Sequence, residues 1–279
     1  MLDIFGWFTL PLEDWVETGV DWLVTNYRFV FQGIKWPIDQ VLTAIRNFLL
    51  WVHPLLIIAS MVAIAWRYAS RGVALFTLIS LFLLGYTGVW DESMITLSMI
   101  LSSLVFCVVV GIPLGILLSQ NDKLAEYIRP VLDCMQSTPA FVYLVPVVML
   151  FSIGTVAGVI ATIVFAIPPT IKLTNLGIRQ VHPELIEAGL ACGATRKQIL
   201  LRIQLPLAKQ TIMAGLNQTI MLSLAMVVIA SLIGAGGLGV LVFEGVNSMR
   251  VGLAVIGGLG IVLIAMVLDR ITQSMAGKR

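Results

Sequence analysis

Apolar runs of about 17 to 25 residues, several of them uncharged and of the length that crosses a bilayer as helix, recur along this chain between short polar stretches. They predict spans near 50–66, 72–90, 94–119, 138–153, 155–173, 210–234 and 251–271, seven in all. The fourth is short and begins at Pro139, which predicts tilt or shielding by neighbouring helices. Ahead of the first, Trp7, Trp15, Trp22, Trp36 and Trp51 recur with Phe29, Phe31 and Phe48 among acidic and polar residues. That pattern suits helices lying in the bilayer interface. The rings are too dispersed to favour a cage for a quaternary ammonium. A different segment follows the fifth run. Roughly 30 charged, amphipathic residues there carry about a third of the basic side chains, and they read as a surface made to be touched by something soluble.

Composition agrees with an all-α polytopic membrane protein: hydrophobic residues make up 59%, charged residues 11%, and mean hydropathy is +1.00. A net charge of +2 is too small to point to nucleic acid. Lysine and arginine set the orientation. Arg67 and Arg71, Lys123 and Arg129, the amphipathic segment at about 174–209, and Arg270, Lys278 and Arg279 mark the cytoplasmic side. Asp91, Glu92 and Glu244 fall on the other. With seven spans and a cytoplasmic C-terminus, residues 1–49 form an extracytoplasmic segment and 50–279 the transmembrane domain. No basic residue precedes Arg28, so the N-terminus lacks the order of a cleaved signal peptide and is expected to stay.

The search for chemistry returns absences. There is no GxxxxGK[ST] and no HExxH, so neither a P-loop nor a metalloprotease helix is expected. His53, beside Pro54, reads as an interfacial residue, and His182, ahead of Pro183, as a solvated or helix-capping one. The three cysteines, Cys107, Cys134 and Cys192, have no ligand spacing and are expected to be buried thiols. Ser98, Ser102 and Ser103 have no His or Lys partner in register. Gly111 and Gly115 frame Pro113 in a GxxxG, read as helix packing or as a bend needed in a transport cycle, and Gly252, Gly257, Gly258 and Gly260 line the last run. In the sixth, Asn217 and Ser231 share a helical face with Met213 and Met221, a stripe that would suit brief contact with a solute or plain helix packing. No ionisable residue is securely placed at mid-membrane, where ion-coupled carriers keep one. Energy is therefore expected to enter through the amphipathic segment. There Ile186 and Leu190 lie on one side of a helix, Gly193 can break it, and Thr195 opens a second helix as N-cap.

In that segment Glu187, Ala188, Gly193, Ile203, Leu205 and Pro206 fulfil the spacing Glu-Ala-x4-Gly, nine residues, Ile-x-Leu-Pro. This resembles the EAA loop of ABC-importer permeases, with Gly189 where the motif's second alanine stands. Gln136 to Pro146, Phe165 to Ile171, Leu205 to Ala208 and Ile233 to Gly239 are similar to the glycine betaine and proline betaine branch. The resemblance implies a type I importer permease in a bacterial or archaeal inner membrane. In that family two permease copies form the pathway, two cytoplasmic ATPases carry the ATP and Mg2+, and a separate extracytoplasmic binding protein captures the solute, and the resemblance implies the same partners here. Glu187, Ala188, Gly189, Gly193, Ala194 and Thr195 carry over as the ATPase-coupling turn, and Ile203, Leu205 and Pro206 as its return to the membrane. Pro139, Phe141 and Tyr143 join Asn217, Met221 and Ser231 as candidates to line the pathway. No catalytic residue and no cofactor are expected on this chain. A permease for choline, carnitine, histidine or methionine stays open, as does an ion-coupled carrier or membrane enzyme.

Overall fold

The computed structural model describes residues 12–277, so the expectations resting on Trp7, Lys278 and Arg279 lie outside the described residues. Every regular element described is helical. In chain order these are α1 (Leu12–Trp51), α2 (Pro54–Tyr68), α3 (Arg71–Tyr86), α4 (Trp90–Gln120), α5 (Asp122–Ser137), α6 (Leu144–Phe151), α7 (Thr155–Arg179), α8 (Pro183–Ala191), α9 (Arg196–Ile199), α10 (Leu205–Ala230), α11 (Leu238–Asn247) and α12 (Val251–Gly277). Turns of tighter pitch occupy Ala140–Tyr143 and Ser231–Ile233, and a wider π turn occupies Leu200–Gln204.

Local sequence sets the helix ends. Pro54 and Pro183 stand in the first turns of α2 and α8, where no backbone N–H is needed. The Ser70 and Asn121 side chains accept from the Val73 and Leu124 amides and so cap α3 and α5. His53 caps α2 through its ring Nδ1, 3.4 Å from the Leu55 amide.

Four helical runs are long and apolar enough to cross a membrane: α4, α7, the 38-residue run Arg196–Ile233 and α12. Counting two bent pairs as one span each raises the number to six. The seven expected runs all fall on helices, yet not all as straight spans. The fourth is a half-span, because Ala140–Phe151 stands at 106° to α5. Pro139 supplies no amide and holds Thr138 in an extended conformation (ψ 128°), which ends α5 there. The sixth run stops at Ile233, and a glycine break then separates it from α11, a helix that hydropathy did not resolve.

The N-terminal segment is helical to Trp51, interrupted where the backbone of Tyr27 leaves helical space (φ −117°, ψ 18°). α1 meets α2 at 107°. Its inward stripe, Phe31, Ile38, Leu42, Ile45 and Leu49, packs against Met94 and Leu97 near the start of α4 and against α6. Both contacts are at the same end of the bundle, so α1 lies across that end. Trp22, Phe29, Trp36 and Trp51 point away from the protein, Trp51 with 86% of its surface exposed.

α7 is the central helix: 61% of its most apolar window is buried, against 22% for α12. Between membrane helices there is little hydrophobic drive, so small residues and hydroxyls bring them together. α4 runs unbroken through Pro113, and Gly111 and Gly115 bring its backbone onto Thr170 and Thr174 of α7. The GxxxG therefore serves packing. The Thr170 and Thr219 hydroxyls are 2.7 Å apart, Thr219 also bonds the Ala166 carbonyl at 3.0 Å, and Ser103 reaches Ser223 at 3.4 Å. Ser98 and Ser102 bond only carbonyls of their own helix. Of the glycines in α12, Gly257 and Gly260 face Leu238 of α11 closely, while Gly252 and Gly258 meet nothing. Cys107 is buried as expected. Cys134 and Cys192 are exposed, contrary to expectation, since α5 and α8 rest on the bundle and bury few residues.

A side chain at Gly115 would start 2.5 Å from Thr174 Cβ and 2.9 Å from the Ile171 carbonyl oxygen. Overpacking of this kind costs about 1–3 kcal/mol. Gly115→Ala should accordingly lower the thermal midpoint of the purified chain, whereas Gly85→Ala, with open space around it, should leave the midpoint unchanged.

Candidate coupling and pathway surfaces

The amphipathic segment folds as two helices joined by a tight elbow. α8 ends in a Schellman motif, in which the Ala194 amide donates to the Gly189 carbonyl (3.0 Å) and the Gly193 amide to the Leu190 carbonyl (2.9 Å). Gly193 takes the left-handed conformation this requires, at φ +78°. One residue later a capping box starts α9: the Gln198 amide donates to Thr195 Oγ1 (3.3 Å), and the Thr195 amide to Gln198 Oε1 (2.8 Å). Two adjoining caps fix the turn through hydrogen bonds within residues 189–198. Glu187, Ala188, Gly193 and Thr195 are exposed around it, and Gly189 and Ala194 are half-buried.

The return to the bundle passes through the π turn. Pro206 lacks the amide that an α-helix would direct to the Arg202 carbonyl, and widening the preceding turn, with Leu205 bonding back to Leu200, accommodates the ring without a break. The fold then brings the two halves of the motif together. A Cβ on Gly189 would stand 3.0 Å from Ile203 Cδ1. Ala188, Gly189, Ile203 and Pro206 line one shallow apolar groove of about 530 Å³. Leu205 turns inward, against the cluster of Ile178, Ala208 and Ile212. His182 sits at the N-cap position of α8 without a side-chain bond to the helix.

The pathway candidates are not brought onto one surface. Pro139 and Phe141 are exposed at the elbow between α5 and α6, and Met221 is exposed on α10. Tyr143 donates its hydroxyl to the Met135 carbonyl (2.7 Å) and so braces that elbow. Ser231 is buried and bonds the Val228 carbonyl of its own helix. Asn217 turns to α12, where its Nδ2 donates to Asp269 (3.0 Å), a carboxylate also held by Gln273 (2.7 Å).

Lys172 and Asp269 are ionisable residues inside the fifth and seventh expected runs, each within about two residues of the run's C-terminal end. Lys172 of α7 pairs with Asp133 of α5 at 2.6 Å and bonds Gln136. One to two turns further on, Arg179 holds Asp122 (2.6 Å) and the Leu118 carbonyl (2.8 Å). Both acids are largely exposed, so each pair adds little stability. Their role is geometric, tying α5 across the end of α7. Lys172 falls inside the fifth expected run, and its charge there was the available signal. Asp133 became its partner only through the bend at Pro139.

Residues 108–277 match the family described as binding-protein-dependent transport system inner membrane component. The chain is 50% identical over 275 residues, 99% of its length and 78% of the relative's, to the glycine betaine/proline betaine transport system permease protein ProW of Escherichia coli (strain K12). It is 44% identical to the glycine betaine transport system permease protein OpuAB of Bacillus subtilis (strain 168), covering 97% of this chain and 96% of that one. Identity to the glycine betaine/carnitine transport permease protein GbuB of Listeria monocytogenes (serotype 1/2a, strain 10403S) is 41%, covering 97% of each. Among solved structures, a chain of the inward-facing MetNI methionine ABC transporter in its native CY5 crystal form superposes with a TM-score of 0.57 at 26% identity, covering 71% of this chain and 97% of that one.

Proposed function

The chain belongs to the binding-protein-dependent transport system inner membrane component family, and we propose that it is the permease of an ATP-driven importer for glycine betaine and proline betaine. The observation that carries the solute is the half-identical match to a betaine permease, which runs through α1 as well as the bundle. The elbow supports the coupling role. Glu187, Ala188, Gly189, Gly193, Ala194 and Thr195 present a self-supporting turn that fits the groove of a cytoplasmic ATPase, and Ile203, Leu205 and Pro206 carry its displacement into α10. ATP is bound with Mg2+ and hydrolysed on that partner, one ATPase for each of two permease copies. The second copy completes the pathway beside the exposed Pro139, Phe141 and Met221, and a binding protein delivers the solute from outside. In this arrangement the α8 end and the C-terminus are cytoplasmic, and α1 lies in the outer interface as an aromatic-anchored segment ahead of the transmembrane domain. The 41% match to a glycine betaine/carnitine permease favours carnitine as a second solute.

The test is uptake of labelled glycine betaine in cells lacking other betaine transporters, with this chain expressed beside its ATPase and binding protein. Uptake that depends on ATP and rises under hypertonic conditions is expected. Entry of a different solute with betaine left outside would overturn the assignment.

A further inference from the structure

The stripe that seats α1 on the bundle steps by four, three, four, three and four residues through Phe31, Lys35, Ile38, Leu42, Ile45 and Leu49. Five of its six positions are apolar and packed. The sixth is a lysine. A cation in an apolar seam is costly unless a specific partner meets it, and here one does: Lys35 Nζ donates to the carbonyl of Phe151, 2.9 Å away and 116 residues on.

Phe151 is the last residue of α6, where a helix leaves carbonyls without intrahelical partners and carries its negative dipole end. The chain beyond cannot supply the missing donor, since the Ser152 amide is already committed to Val148 and Ser152 is held at φ +70°, strained for a residue with a side chain. The Phe31 ring stands edge-on to Phe151, with centroids 5.7 Å apart, and closes one side of the contact. We infer that Lys35 is a positioning residue: from a segment that lies ahead of the matched family region, it caps α6 and sets the register of α1, fixing the outer end of the bent span whose other half is tied to α7 by Lys172 and Asp133. α6 is eight residues long and continues from the turn that bears Phe141 and Tyr143. A half-helix this short is held by its ends. Loosening its outer end moves the elbow at Pro139, and with it the surface offered to the second copy.

The inference rests on the transport reading for its functional readout and on hydrogen exchange for a readout independent of transport. In the assembled complex, Lys35→Met should raise amide exchange over residues 148–156, and Lys35→Arg, which keeps the charge and the donors, should return it to the wild-type level. In proteoliposomes containing ATPase and loaded binding protein, Lys35→Met should lower maximal uptake about tenfold, the scale of one lost hydrogen bond to a charged group. Half-saturation for the solute should not change, because capture occurs on the binding protein, and Lys35→Arg should recover most of the rate. Unchanged exchange in Lys35→Met would overturn the proposal, as would an uptake loss no larger than the loss of assembled complex. If the wild-type complex fails to import betaine, the solute assignment fails, and the exchange measurement still decides the role of Lys35.

Discussion

Gly237→Ala should leave little or no assembled complex in the membrane. Gly237 precedes α11 with φ +78° and ψ −167°, a region that only glycine occupies at low cost, so a side chain there costs about 1–3 kcal/mol from the backbone alone. The added Cβ would also stand 2.5 Å from Thr96 Oγ1 and 3.2 Å from the Thr96 nitrogen. That hydroxyl is engaged on both sides. It accepts from the Leu238 amide at 2.8 Å, the first amide of α11, and donates to the Glu92 carbonyl at 2.9 Å. Displacing it strands a buried amide where no water is available to replace the bond. Gly234→Ala is the matched control, with φ +69° and its nearest neighbour, Ile153 Cγ2, at 3.7 Å. It bears only the left-handed cost of roughly 1–2 kcal/mol. Yield and thermal midpoint of the solubilised complex should rank wild type above Gly234→Ala, and Gly234→Ala well above Gly237→Ala. Equal behaviour of the two variants would refute this account of the break.

Gly193→Phe should insert into the membrane normally and fail to transport. The backbone at Gly193 sits at φ +78°, yet among the described residues nothing lies within 4 Å of where a side chain would begin. Strain is therefore limited to roughly 1–2 kcal/mol, too little to unfold a bundle held together elsewhere. The ring would project from the elbow into the space assigned to the ATPase under the proposed function. ATP hydrolysis by the purified complex should lose its dependence on loaded binding protein, or the ATPase should fail to copurify, with uptake abolished in either case. Gly193→Ala separates the two contributions: it bears the same backbone cost without the bulk and should retain most uptake. Wild-type uptake by a fully assembled Gly193→Phe complex would remove the elbow from the coupling path.

The contrast between these two glycines shows what the sequence could disclose. The elbow was legible because its determinants are local. Gly193 terminates one helix, Thr195 with Gln198 starts the next, and both signals sit within six residues. The long apolar runs behind α4, α7 and α12 were legible because bilayer thickness sets their length. The break at Gly237 was not, since it depends on Thr96, 141 positions earlier, and an uncharged run of residues reads alike whether it is one helix or two. The charged cross-links were hidden for a similar reason. Lys172 is paired only because Pro139 bends α5 back across α7, and Asn217 left its expected stripe for Asp269, a residue on a helix that periodicity within α10 cannot report. α1 lay between these cases: its exposed aromatic residues stood out in the sequence, whereas Lys35 in the packed stripe needed Phe151 to explain it.

The π turn at Leu200–Gln204 keeps the elbow and the bundle mechanically continuous. Because the helix is widened instead of broken at Pro206, Arg196–Ile233 is one 38-residue run, a lever about 57 Å long at 1.5 Å per residue. One arm ends at the elbow and the other at the glycine break. A rod of that length tilted by about 5° carries its far end roughly 5 Å, about the pitch of one helical turn. A push applied at the elbow would therefore reach the glycine break through an unbroken helical backbone.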